Sequence, residues 1–363
     1  MREVLHIRSS FKPGGTETLL LNLYNYEQNK FKIHLALIKG GNYVSKLQNN
    51  NNIFYEYYRK WVIDISVLLK LHRLIKKNCI KIVHTHQEIE LLYAVILKLF
   101  NPNIRIYHSI HLTNQEYNVD HFLEIFLIKF AYKILPVSNS LKNHLKQKGY
   151  PTHKLVTLYN AVSLPSVVDK KKIESFKQRI NYSKNDYIIM MTGNFRPEKD
   201  QLTIVKAFNL LKDKHTSLKL VFIGKESSQS DTCKKITLSE DLNKRVFFLG
   251  AIEDAWMCLE FCNLFVFSSL SETFGIAVIE ALLMKVSVLA SDIEVMKELS
   301  VNGNYFKLFK TGDEKDLSDK IELFENSKND DETYDIINKA YSFALSEFSY
   351  EKYIDKLVEV YCD

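Results

Sequence analysis

The sequence predicts an α/β protein built as two doubly wound parallel sheets in series, and three observations predict it. Short β-branched runs alternate with longer segments that carry apolar residues at helical spacing, the pattern of strands joined by crossover helices. The strand runs fall into two sets, divided where Pro and polar residues interrupt the pattern in NAVSLPSVVDKKKIESFKQRINYSKND and the strand motif restarts. The length, 363 residues, exceeds one ordinary core and suits two domains of roughly 150 to 200 residues with a cleft between them.

In the first set, VLHI, KIHLALI, IKIVHTH, IRIYHSIH, KILPVS and LVTLYNAV read as strands, with ETLLLNLYNYE and ISVLLKLHRLIKK as helices among them. In the second, YIIMMTG, LKLVFIG, RVFFLG, NLFVFSS and VSVLAS read as strands, and QLTIVKAFNLLKDK and a segment beginning near Ile276 as helices. The closing FSYEKYIDKLVEVY is amphipathic and is expected to return to the first domain. The expected domains are residues 1–163 together with 347–363, and 164–346.

Hydrophobic residues at 46% with 25% charged describe a soluble globular chain. No secretory signal is expected from MREVLHIRSSFKPGG, and no apolar run reaches the roughly 18 residues of a membrane span. Cys79, Cys233, Cys258, Cys262 and Cys362 form no paired framework, which points to a reduced, cytosolic compartment; Cys258 and Cys262, one helical turn apart, read as buried thiols rather than a metal pair. Of 49 Lys+Arg and 43 Asp+Glu, 22 and 10 fall at or before Pro165, leaving 27 and 33 beyond it. The first half is therefore basic, which suits phosphorylated ligands, an anionic membrane surface or nucleic acid, or is simply a lysine-rich solvated surface.

In open α/β sheets ligands bind beyond the carboxyl ends of the strands, so the residues just after each strand carry the candidates. After NLFVFSS comes LSETFG, then a helix. Phe274 and Gly275 thus sit at a helix N-terminus suited to a diphosphate, with Glu272 before the turn and Glu280 more than a turn into the helix. The two carboxylates could grip hydroxyls at two points of an elongated ligand, or stand as solvated acids. After YIIMMTG, Arg196 and Lys199 in GNFRPEKDQL could neutralise a diphosphate, or be surface cations. In the first domain Gly14 and Gly15 separate strand from helix, with Thr16 as a plausible cap, but the third glycine of a dinucleotide fingerprint and the lysine of a P-loop are missing. His108 and His111 end the strand IRIYHSIH and could hydrogen-bond a sugar hydroxyl. His84 and His86, lacking a third ligand, read as a packed or polar-network pair rather than a metal site.

Taken together, GGTETLLLNL, PVSNSLKNHL, LYNAV, GNFRPEKDQLTIVKAF, FIGKES, RVFFLG, FVFSSLSETFGIAVIEALLMKVSVLASD and FSYEKYIDKLVEVY resemble the retaining nucleotide-sugar glycosyltransferases of family four, of the bacterial surface-polysaccharide type. The resemblance implies a GT-B architecture of two Rossmann-like domains facing a central cleft. It implies Glu272 on the donor sugar, Glu280 on the ribose, the Phe274, Gly275 and Ile276 backbone at the diphosphate, and Arg196 and Lys199 on the leaving phosphates. His111, in a Ser-Ile-His setting where the family has Thr-x-His, is the implied catalytic histidine, with His86 and His108 toward the acceptor. Gly14, Gly15, Gly193, Asn194, Gly224 and Gly250 would border the donor. Asn194 stands where relatives often carry Arg, and Arg196 is taken to supply that charge; Lys285-Val286-Ser287 replaces a usual Gly-x-Pro.

The implied reaction moves a sugar from a nucleotide-diphosphate donor, expected to be UDP-linked, to a glycan or polyprenyl-diphosphate-linked acceptor, with retention and with neither metal nor cofactor. An anionic membrane surface on the cytoplasmic side is a further expected partner, and nucleic acid is not expected for want of a recognition motif. The rival readings are an epimerase or hydrolase of the same fold, which would consume donor without acceptor, and an inactive sugar-nucleotide-binding homologue.

Overall fold

The computed structural model describes residues 2–12, 14–48, 51–111, 121–164, 168–328 and 330–363. The chain divides into two compact units, Met1–Ala161 with Ser349–Asp363, and Val162–Phe348.

The inner strands of the first unit are largely buried on both faces, as a sheet covered by helices on either side requires. The unit runs β1 (Arg2–Arg8), α1 (Gly15–Asn25), β2 (Phe31–Leu37), β3 (Ile53–Glu56), α2 (Ile65–Lys77), β4 (Ile82–Thr85), α3 (Glu88–Phe100), β5 (Arg105–Ile110), α4 (His121–Ile128), β6 (Lys133–Pro136) and α5 (Asn139–Gln147). The sheet order is β3-β2-β1-β4-β5-β6 and every pairing is parallel.

The second unit runs α6 (Lys170–Arg179), β7 (Tyr187–Thr192), α7 (Gln201–Leu211), β8 (Leu218–Ile223), α8 (Ser228–Ser239), β9 (Val246–Phe248), β10 (Leu264–Phe267), α9 (Ile276–Leu283), β11 (Ser287–Ser291), α10 (Glu294–Leu299), β12 (Lys307–Phe309), α11 (Glu314–Asn326) and α12 (Asp331–Glu347). Its order, β12-β11-β10-β7-β8-β9, is again parallel throughout and repeats the first unit's arrangement, with the unit's first strand beside its fourth.

The last helix, α13 (Tyr350–Cys362), belongs to the first unit. Its Tyr350, Tyr353, Ile354, Leu357, Val360 and Tyr361 are buried in one cluster with leucines of α1 and with Phe31 and Ile33 of β2. The heptad-like spacing of these residues is what gives the closing stretch its amphipathic pattern.

The stretch LVTLYNAV, expected as a strand, is a correction. Val156 and Leu158 donate to the carbonyls of Ile134 and Pro136 at 2.9 Å, but only an isolated bridge forms, between Ile134 and Leu155. Pro136 has no N–H to return the next bond of a parallel ladder, so pairing ends there. Two short strands escaped the sequence reading, β3 and β12, both at sheet edges and only four and three residues long. All five cysteines are free, and no helix among the described residues is long and apolar enough to cross a membrane.

Candidate active site

In each sheet the first and fourth strands lie side by side and their crossovers leave toward opposite edges, so the loops after them part at the carboxyl end. Of the residues singled out by sequence, Gly14, Gly15, His86, Gly193, Asn194, Arg196, Lys199, Glu272, Phe274 and Gly275 fall on or next to these loops, whereas His108 and His111 lie at the end of β5 and Gly224 and Gly250 follow β8 and β9.

In the first unit, His6 of β1 is in register with His84 of β4. Side chains two apart share a strand face, so His84 and His86 lie on one side, as do Ser109 and His111 of the next strand. Nδ1 of His6 meets Nε2 of His86 at 3.1 Å, and Nδ1 of His86 meets Nε2 of His111 at 3.2 Å. The ring centroids are 5.4 and 5.5 Å apart, separations reachable at those nitrogen distances only when the nitrogens lie on the line between ring centres. The three imidazoles therefore form an in-line hydrogen-bonded row, each contact using one N–H and one lone pair. Burial lowers the pKa of His6 and His111 to about 3 and takes His86 well below its ordinary value, so the row is neutral at physiological pH.

His84 stands beside this row and is bonded at both nitrogens, to Tyr361 Oη at 2.6 Å and Ser109 Oγ at 2.8 Å. His6, His84 and His86 bring ligand-type nitrogens within 4.8 Å of one another, the one such cluster of metal-ligating side chains among the described residues. Both nitrogens of His84 and of His86 already have hydrogen-bond partners, which is the arrangement of a polar network. His108 is not part of it: strand alternation turns it to the other face, where Nδ1 meets Thr85 Oγ1 at 2.8 Å and burial lowers its pKa to about 4. His86 and His108, both expected toward the acceptor, thus lie on opposite faces of the sheet, and it is His111 that meets His86.

The ends of β1 and β4 are tied by residues that sequence reasoning missed. One Glu90 oxygen accepts from Arg8 Nη1 at 2.9 Å and from the Ser9 N–H at 2.6 Å; the other accepts from the His86 and Gln87 N–H groups at 2.7 and 3.0 Å. Arg8 also pairs with Glu17 of α1. Gly14 caps α1, and a Cβ there would stand 2.5 Å from Glu17 Oε2. Gly15 opens the helix, so Thr16, expected as the cap, lies inside the first turn. The available signal was the alternation His6, Arg8 within one strand, but only the β1–β4 register reveals what they meet.

In the second unit three glycines line up at the ends of β7, β8 and β9. The Gly193 N–H bonds the Ile223 carbonyl at 2.8 Å and the Gly224 N–H bonds the Gly250 carbonyl at 2.9 Å. A Cβ on Gly224 would lie 2.0 Å from the Gly193 carbonyl oxygen, so only glycine allows these backbones to approach. The Asn194 side chain accepts from the Lys225 N–H at 2.9 Å and so joins two strand-end loops.

Beyond it, a 3₁₀ turn over Pro197–Lys199 is fastened to the end of β10. Ser268 Oγ donates to the Lys199 and Asp200 carbonyls at 2.9 Å, and the Leu270 N–H donates to the Glu198 carbonyl at 2.8 Å. This fastening brings Lys199 onto Glu272, and the two form a half-buried ion pair. Arg196, half exposed, faces Glu198 at 3.5 Å. Phe274 turns its side chain inward against the Phe348 ring, 5.6 Å between centroids, leaving its backbone to the loop. Gly275 caps α9 at φ 107°, and a Cβ there would meet Met296 Cε at 2.6 Å; Ile276 is the first helical residue. Glu280, more than a turn along, is pushed up to about pKa 7 by desolvation.

Lys199 and Glu272 thus meet directly, three residues before Gly275 opens α9, with Glu280 more than a turn into that helix and Arg196 at the start of the turn that carries Lys199. That combination can bind an anion flanked by hydroxyls.

Comparison with known proteins agrees with this reading of the fold. The family model described as Glycosyl transferases group 1 matches residues 172–343, and Glycosyltransferase Family 4 matches residues 13–165. The capsular polysaccharide biosynthesis glycosyltransferase CapH of Staphylococcus aureus is 27% identical, covering 85% of each chain. The UDP-Gal:alpha-D-GlcNAc-diphosphoundecaprenol alpha-1,3-galactosyltransferase of Escherichia coli is 25% identical, covering 83% of this chain and 80% of its own. The crystal structure of Anabaena HepE in complex with UDP and glucose superposes with a TM-score of 0.82 at 16% identity, over 100% of both chains. The fold is that of the GT-B glycosyltransferases. Within that class the two matched models, one of them Glycosyltransferase Family 4, make this chain a glycosyltransferase of the family-four type.

Proposed function

We propose that this glycosyltransferase moves a sugar from a UDP-linked donor to a hydroxyl of a glycan carried on a lipid diphosphate, with retention at the anomeric carbon and without a metal. The observation that carries the reading is the Lys199–Glu272 pair, fixed beside the N-terminus of α9. A donor diphosphate offers Lys199 a partner of higher charge than Glu272. Its arrival releases the Glu272 carboxylate to accept from the sugar's hydroxyls, with Arg196 adding a second cation and Glu280 reaching the ribose. As the anomeric bond to phosphate breaks, charge develops on the departing oxygen, where fixed cations and helix N–H groups are worth most. The acceptor oxygen bonds the same face, and its proton leaves with the diphosphate.

The first unit supplies His111, whose neutral imidazole can hydrogen-bond a reacting hydroxyl; His86 and His6 stand behind it and fix which nitrogen carries the proton. UDP is chosen because HepE binds it and the Escherichia coli relative uses UDP-Gal, and a lipid-diphosphate acceptor because that relative's acceptor is of this kind. The test is a thermal-shift screen against UDP, GDP and ADP sugars, followed by transfer to a lipid-diphosphate glycan with the product's anomeric configuration read by NMR. A UDP-sugar should raise Tm, turnover should depend on acceptor, and chelation should leave the rate unchanged. Donor consumption that ignores acceptor would instead establish a hydrolase or epimerase.

A further inference from the structure

The segment 59–64 and the outer face of α2 combine two features that a solvated surface does not need. Trp61, Val62, Ile63, Ile65, Leu69 and Phe100 are all exposed, Trp61 to 75% and Ile65 to 72% of their full surface. The patch continues onto the end of α3 because the Phe100 ring lies edge-on to His72, 6.4 Å between centroids, one turn beyond Leu69. Contiguous apolar exposure of this kind marks an interaction site.

The segment is pinned, so the exposure is built in. Asp64 accepts from the Lys60 N–H at 2.9 Å and from the Ser66 and Val67 N–H groups that it caps, at 2.9 and 3.4 Å. Its own N–H donates to the buried Tyr93 hydroxyl at 2.8 Å, and Arg59 Nη1 bonds the Val62 carbonyl at 3.1 Å. The turn therefore holds the apolar side chains outward.

Charge selects the partner. Residues 59–77 include Arg59, Lys60, Lys70, Arg73, Lys76 and Lys77, and the single acid, Asp64, is buried and used as the cap. Indole and aliphatic side chains next to unopposed lysines and arginines are the composition that settles at a lipid headgroup boundary. Four of the six apolar side chains are aliphatic, which neither stack on nucleobases nor pair with phosphates.

We propose that this face docks the chain on an anionic bilayer, with Trp61, Ile65 and Leu69 at the headgroup–acyl boundary and the flanking cations on lipid phosphates. The inference stands apart from the sugar chemistry, although a lipid-carried acceptor would make such a surface useful.

The chain has two tryptophans, and Trp256 is only 6% exposed, so an emission change on lipid addition reports Trp61. Full-length protein is mixed with phosphatidylcholine vesicles, or with vesicles of roughly one-third phosphatidylglycerol. Blue-shifted emission and salt-sensitive co-sedimentation are expected with the second set alone. Trp61→Phe should abolish the shift, Lys76→Gln with Lys77→Gln should weaken partitioning by about fivefold per cation, and Ile65→Ser with Leu69→Ser should lower it further. Transfer to a short soluble acceptor should continue unchanged in these variants, which separates failure of docking from failure of the enzyme. No shift and no sedimentation with anionic vesicles would overturn the proposal. So would a shift that depends on protein concentration without lipid, since that assigns the patch to a second copy of the chain.

Discussion

At the meeting of its first and fourth strands, the N-terminal unit places a row of neutral imidazoles braced by a buried Arg8–Glu90–Glu17 network. At the same topological position the C-terminal unit places a half-buried Lys199–Glu272 pair, with a row of glycines running from there across the ends of β7, β8 and β9. Strand order and direction are identical in the two sheets, so the difference lies in the side chains carried at the strand ends, the loops and the helix starts. It teaches that one architecture supports two kinds of electrostatics. The buried network matches its donors and acceptors internally except at His6 Nε2 and Arg8 Nε; the half-buried pair is partly open to water and so can exchange partners with an incoming anion.

The sharpest way to break this contrast is Arg8→Met. Leaving two carboxylates without their cation in the first unit should cost about 3–5 kcal/mol of stability in urea unfolding, and a loss below about 1 kcal/mol would show that the network is not what braces the strand ends. Lys199→Ala in the second unit should do the opposite, changing stability little while lowering kcat by about 2–4 kcal/mol of transition-state stabilisation. Full turnover by this variant on donor and acceptor would remove Lys199 from the chemistry.

The two units should also respond oppositely to pH. Glu280 has a folded pKa of about 7 against an ordinary 4.5, so the native state holds a proton that the unfolded chain releases, and its contribution falls as pH rises from 4.5 through 7. Glu280→Gln should flatten that fall and stabilise the second unit above pH 7 by on the order of 2 kcal/mol. His6 and His111 have folded values near 3 against 6.5, so the unfolded chain binds more protons and the first unit loses stability as pH drops below 6.5. Hydrogen exchange followed separately in peptides from β1 and from α9, across pH 4.5 to 8, checks both signs; parallel behaviour would contradict them.

The smallest effect is expected at His86→Phe, which cuts the imidazole row. The tautomer of His111, read from side-chain ¹⁵N shifts, should redistribute, with kcat falling by about 1 kcal/mol and KM nearly constant. An unchanged His111 tautomer would show that its proton is placed by something other than His86.

Much of the fold was legible because parallel crossovers impose long, regular alternation, and strands such as LFVF and YIIMMT are apolar on both faces. The errors came where local composition and pairing disagree: Pro136 stops a ladder that LVTLYNAV could otherwise continue, and the edge strands β3 and β12 are too short to carry a period. Lys199 and Glu272 could be singled out because each follows a strand within a few residues, and the adjacency of β7 and β10 then brings them together. His6, Arg8, Glu17 and Glu90 could not, since their chemistry exists only across the β1–β4 register and two helix starts. His108 and His111 were hard to separate in sequence, yet three residues along a strand puts them on opposite faces, so that His111 meets His86 and His108 meets Thr85.

The bond between Tyr361 and His84 joins residues 277 positions apart and makes the first unit discontinuous in sequence. During synthesis the later-encoded Val162–Phe348 can finish folding while the earlier unit still lacks its closing helix. A ribosome stalled or a chain cut just before Ser349 would therefore leave the N-terminal sheet with an open apolar flank where Tyr350, Leu357 and Tyr361 belong, and a nascent chain would depend on chaperone cover until its last turns emerge.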